Sequence, residues 1–72
     1  MDYTQWGAEY LKEADILKKR VDMLREKYIG LGGEEAIRLS RRIAVLYEMY
    51  LECLRTGRCL TERGKTNGTA EL

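Results

Sequence analysis

Residues 28–36 read Tyr28-Ile29-Gly30-Leu31-Gly32-Gly33-Glu34-Glu35-Ala36, and three of the four positions from 30 to 33 are glycine. Glycine is the common residue just past a helix end, because it accepts the left-handed backbone that lets the last carbonyls find partners. A helix arriving from the N-terminal side is therefore expected to stop at Gly30, with Leu31-Gly32-Gly33 completing the turn. Glu34 and Glu35 then suit the positive end of a second helix dipole. The 72 residues contain no proline and are rich in Leu, Glu, Arg and Lys, the composition of helices. The stretch predicts an all-α chain: a two-helix antiparallel hairpin folded about its glycines.

Working outward, the first helix is expected over about 3–29. Asp2 stands at the N-cap with Gln5 three residues on, a variant of the capping box. The second helix is expected over about 34–56, stopped by Gly57, with Arg55 favourable in the last turn. This makes residues 1–60 the hairpin. Residues 61–72, Thr61 to Leu72, hold too little apolar area to offset their ordering entropy and read as a flexible tail.

Helix 1 carries a seam of Tyr3, Gly7, Tyr10, Ala14, Leu17, Val21, Leu24 and Tyr28, whose steps of three and four suit packed antiparallel helices. Helix 2 answers with Ala36, Leu39, Ile43, Leu46, Tyr50 and Cys53. A second apolar row is left over on helix 2: Ile37, Ala44, Tyr47, Leu51 and Leu54. Helix 1 adds Trp6, Leu11, Ile16 and Met23 outside its seam. A helix apolar around most of its circumference must be buried on more than one side. The second row, with Ile16 and Met23, is expected to form the interface of a homodimeric four-helix bundle, or to meet another protein partner.

The second helix also contains Leu39-Ser40-Arg41-Arg42-Ile43-Ala44-Val45-Leu46-Tyr47-Glu48-Met49-Tyr50, preceded by Leu24-Arg25-Glu26-Lys27-Tyr28 and the glycine turn. Over roughly residues 16 to 52 this layout resembles the short sporulation-regulatory aspartyl-phosphate phosphatases of Gram-positive bacteria. These are helical hairpins whose second helix carries a Ser-x-x-Leu-Asp signature followed by apolar residues and a Tyr. Ser40 matches the signature Ser, Ile43 replaces its Leu, and Leu46 and Tyr50 fall on its apolar and Tyr positions. Ala44 stands where the resemblance calls for Asp, and Arg41 and Arg42 replace the residues between. The resemblance implies a shared hairpin and a signalling partner, with the acidic group of its phosphatase function missing.

Other chemistries find little footing. There is no histidine to act as a base near neutral pH, and the glycines of the turn are followed by glutamates instead of a phosphate-binding Lys-Ser/Thr pair. Cys53 and Cys59 are separated by five intervening residues, too wide for a zinc pair without further ligands, and are expected to be free thiols, Cys53 packed and Cys59 near a helix end. No cofactor is expected. Thirteen Lys and Arg against twelve Asp and Glu leave the chain near neutral, and Asp15, Asp22 and Glu26 interleave with Lys18-Lys19-Arg20, which disfavours nucleic acid. The longest apolar run, Ile43 to Tyr47, is far short of the ~20 residues of a membrane span. The N-terminus does not read as a secretory signal, so the expected location is the cytoplasm.

Tyr3, Trp6 and Tyr10 form an aromatic cluster that caps the bundle end or, with Ser40, Arg41 and Arg42, meets a partner. The expected function is a small, non-enzymatic protein–protein interaction module or regulator. Its size suits an inhibitor carried by a phage or mobile element.

Overall fold

The computed structural model describes residues 2–70, with side chains as far as Lys65. Two helices, α1 (Tyr3–Ile29) and α2 (Gly33–Ala70), pack antiparallel into a rod of 59 × 15 × 14 Å. The rod is about as long as the 38 residues of α2 at ~1.5 Å each. The expected all-α hairpin is what forms.

Asp2 caps α1: its backbone is extended, and its carboxylate accepts a hydrogen bond from the Thr4 N–H at 3.0 Å. At the other end, Gly30 N–H donates to Lys27 O at 3.2 Å and Leu31 N–H to Tyr28 O at 3.1 Å. These three-residue bonds tighten the last turn without reversing its hand, so Gly30 sits at φ −91° instead of the left-handed conformation expected of it. The left-handed residue is Gly33, at φ +63°, where the chain turns into α2. Glu34 and Glu35 occupy the first turn of α2 as expected.

The largest correction concerns Gly57. It does not stop α2; the helix passes through it and continues to Ala70. Residues 61–70, read from sequence as tail, are helical, while 71 and 72 lie outside the described residues. Cys59 is consequently on a helix interior and not near its end. The physical reason is visible across the hairpin. A methyl group placed on Gly7 would lie 2.8 Å from Gly57 O and 2.9 Å from Thr61 N, and one on Gly57 would lie 3.0 Å from Gly7 O and 2.8 Å from the Leu11 side chain. The two backbones approach each other reciprocally where neither residue has a Cβ. Farther out, Gly64 lies against Thr4 in the same way. Glycine costs a helix about 1 kcal/mol relative to alanine, and at Gly57 the close packing offsets that cost.

The seam falls where its periodicity placed it. Gly7, Ala14, Leu17 and Val21 are buried, and Ala36, Leu39, Ile43, Leu46, Tyr50 and Cys53 are half-buried. Tyr28, also read as seam, is exposed at the turn end. The row Tyr47, Leu54 is half-buried too. A straight helix drifts about 20° per seven residues relative to a strict heptad, so a row starting beside the seam rotates into it further along. Seven residues beyond Leu54 that row reaches Thr61, which lies against Gly7 and donates its hydroxyl to Gly57 O at 2.8 Å.

A Gly7→Ala substitution tests the close approach. The added methyl meets backbone atoms that cannot rotate away, an overpacking cost of about 1–3 kcal/mol that exceeds the helix-propensity gain. Urea unfolding at fixed protein concentration should show a net loss of stability. Gly32→Ala, where nothing lies within 4 Å, should change stability by less than about 0.5 kcal/mol. Equal stability of the Gly7 variant and the parent would mean that the helices do not meet there.

Candidate interaction surface

In a hairpin of two helices, the only buried hydrophobic residues among the described ones are Ala14, Leu17 and Val21. Nine large apolar side chains remain exposed, from Leu31 at 38% to Ile29 at 83%. Ion pairs such as Lys18–Asp22 (3.5 Å), Lys19–Asp15 (3.1 Å) and Arg38–Glu34 (3.7 Å) join neighbouring turns of one helix and are solvent-screened. The first two are the local pairing expected from the interleaved charges of residues 15–22. The candidate site of this protein is therefore its surface.

The predicted interface residues divide between two faces. The Arg25 guanidinium lies over the Tyr47 ring, 5.4 Å from its centroid, so Arg25 marks the face of the hairpin that carries Tyr47. Met23 and Ile16 are two and nine residues before Arg25, each about half a turn away on the helix wheel. They are exposed on the far side of α1 from Tyr47, so the structure does not bring them together with the α2 row. Within that row Ile37 and Ala44 are exposed, while Tyr47, Leu51 and Leu54 are half-buried. Tyr47 also meets Tyr50, ring centroids 5.6 Å apart.

The aromatic cluster is assembled as expected. Tyr3 stacks on Trp6 with centroids 6.3 Å apart, Trp6 meets Tyr10 at 6.3 Å, and the Arg63 guanidinium lies 6.0 Å from the Tyr3 centroid. The extension of α2 beyond Gly57 supplies that arginine, which a shorter helix 2 could not. Trp6 is 39% exposed, and Glu9 and Glu13 flank it and Tyr10 around a shallow depression.

The signature-like residues are scattered. Ser40 lines a small depression with Arg25, Tyr28 and Ile43; Arg41 lies beside Glu34, Ile37 and Arg38; Arg42 lines a third. That third depression is an open groove of about 550 Å³ beside the turn, with Leu24, Leu31 and Leu39 as its apolar floor and Lys27, Arg38 and Arg42 around it. Glu35 is the one acidic residue in its lining. Sequence reasoning missed this groove, because Leu24 and Leu39 were assigned to the closed seam and Leu31 to the turn. It also missed Val45 and Met49, exposed by 60% and 49% on the side of α2 away from Tyr47. The signal was present in their seven-residue spacing from Arg38 and Arg42.

Among the described residues, no group of three or more Cys, Asp, Glu or His is placed to hold a metal ion. None of the helix described is long and apolar enough to cross a membrane. Comparison with protein-family models, with curated proteins and with solved structures finds no match to this chain.

Both cysteines are free thiols, Cys53 half-buried and Cys59 exposed. A water-soluble maleimide followed by mass spectrometry should label Cys59 first. Earlier labelling of Cys53 would contradict the rotation of α2 described above.

Proposed function

We propose that this chain is a non-catalytic protein–protein interaction module that works as a homodimeric helical hairpin, two copies forming a four-helix bundle. The observation that carries the reading is the imbalance of apolar side chains: three buried against nine large ones exposed among the described residues. A chain of 8.4 kDa with so small a core gains stability chiefly by covering such surface with another protein. Closed two-fold pairing is the commonest way to do so.

The absence of a carboxylate at Ala44, and the separation of Ser40, Arg41 and Arg42 into different depressions, favour binding over phosphate hydrolysis. The apolar surface also suits a regulator or inhibitor whose action is to occupy a partner.

Light scattering with sedimentation at micromolar concentration should give twice the 8.4 kDa of one chain. A monomer throughout the concentration range would sink the homodimer and leave only a foreign partner for the exposed surface. Incubation with a phosphorylated response regulator should leave the lifetime of its phosphate unchanged; acceleration would overturn the non-catalytic reading.

A further inference from the structure

Two depressions on the rod differ in the balance of their charges, three cations to one carboxylate in the first and carboxylates in the second, where the Arg63 guanidinium lies nearby on Tyr3. Beside the turn, the groove floored by Leu24, Leu31 and Leu39 is rimmed by Lys27, Arg38 and Arg42, with Glu35 as its one acidic residue. Near the open end, Trp6 and Tyr10 are flanked by Glu9 and Glu13, and the adjoining hollow adds Asp2.

Both lie on one face. Trp6 and Leu24 are eighteen residues apart on α1, as are Glu9 and Lys27, and eighteen residues make about five whole helical turns. Each pair therefore shares an azimuth. On α2, Val45 and Met49 follow Arg38 and Arg42 by seven residues, close to two turns, and continue the same face toward the open end. The face thus runs from a mainly basic leucine groove, across exposed Val45 and Met49 with Arg20 beside them, to an aromatic patch flanked by Glu9 and Glu13.

We propose that two copies pair through this face in antiparallel orientation, the acidic aromatic end of each lying on the basic leucine groove of the other. The proposal rests on the homodimer reading and specifies its face and direction. A two-fold axis across the middle of the rod superposes the level of Glu9 on that of Lys27 in the second copy and sets Val45 and Met49 near the axis. Each acidic end then meets a basic end twice over, as a self-complementary contact requires. The parallel arrangement would instead stack Glu9 and Glu13 on their own copies and Lys27, Arg38 and Arg42 on theirs. On the opposite face the Arg25 guanidinium lies over Tyr47 and Lys18 pairs with Asp22, so these cations already have partners within the hairpin.

Charge reversal reads the pairing directly. At low salt, Glu9→Lys with Glu13→Lys should weaken self-association about tenfold or more, and Lys27→Glu with Arg42→Glu should do the same. Mixing these two variants should restore a dimer, and one chain carrying all four reversals should dimerise by itself. Reversals that leave the dimer unchanged, or a fourfold variant that stays weak, would overturn the proposal.

Direction has its own readout. In a Cys53→Ser, Cys59→Ser background, a spin label on Gly32→Cys should give an inter-label distance of about 40 Å in the antiparallel dimer. A distance within about 20 Å, with the dimer intact, would overturn the antiparallel face while leaving the homodimer reading standing. A monomeric parent chain would remove both.

Discussion

The fold depends on the place where the backbones of α1 and α2 come directly against each other, Gly7 against Gly57. Gly7 lies 23 residues before Gly30, and Gly57 lies 24 residues after Gly33, so the contact is nearly as far from the turn as the paired part of the rod extends. The hairpin is held at one end by the covalent turn and near the other by a steric fit that only glycine permits. Between them, Ala14, Leu17 and Val21 supply a thin core, and the rest of the apolar surface stays half-covered or open. A structure this slender gains little from any one side chain. It gains from holding two long helices in one register, so that many half-buried contacts form together.

The hairpin itself was legible because its signals are local and redundant: an N-cap at Asp2, glycines at the turn, glutamates at the start of α2 and a seam with helical spacing. The far end of α2 was not. A glycine that ends a helix and a glycine that admits a neighbouring helix look alike along a chain, and only the position of Gly7 across the hairpin tells them apart. The same mistake hid Arg63, and with it the contact that completes the aromatic cluster on Tyr3. Gly30 and Gly33 show a smaller case of this ambiguity. Three glycines announce a turn, but which one takes the left-handed backbone depends on how the last helical turn tightens.

For the surface, the residue types were readable and their grouping was not. The row from Ile37 to Leu54 was identified as apolar, yet slow drift of the helix carries Tyr47 and Leu54 toward α1 and leaves Ile37 outside. Ile16 and Met23 are exposed as expected, but on the other side of α1 from the row they were assigned to. The groove at the turn required three leucines from three different sequence contexts to be seen at once. Since a hairpin supports many functions, its role has to be sought in such surface groupings, not in the fold.

The contact between Gly7 and Gly57 also gives the hairpin a reading frame. Adding one residue to either helix between its glycine and the turn rotates that glycine by about 100° and shifts it by about 1.5 Å relative to the other. The two glycines would then no longer face each other, and a Cβ-bearing neighbour would arrive in their place. A change of length is thus felt at a distance from where it occurs, whereas most changes of identity on the exposed faces stay local. What the rod specifies most strictly is a count of residues from one glycine, around the turn, to the other.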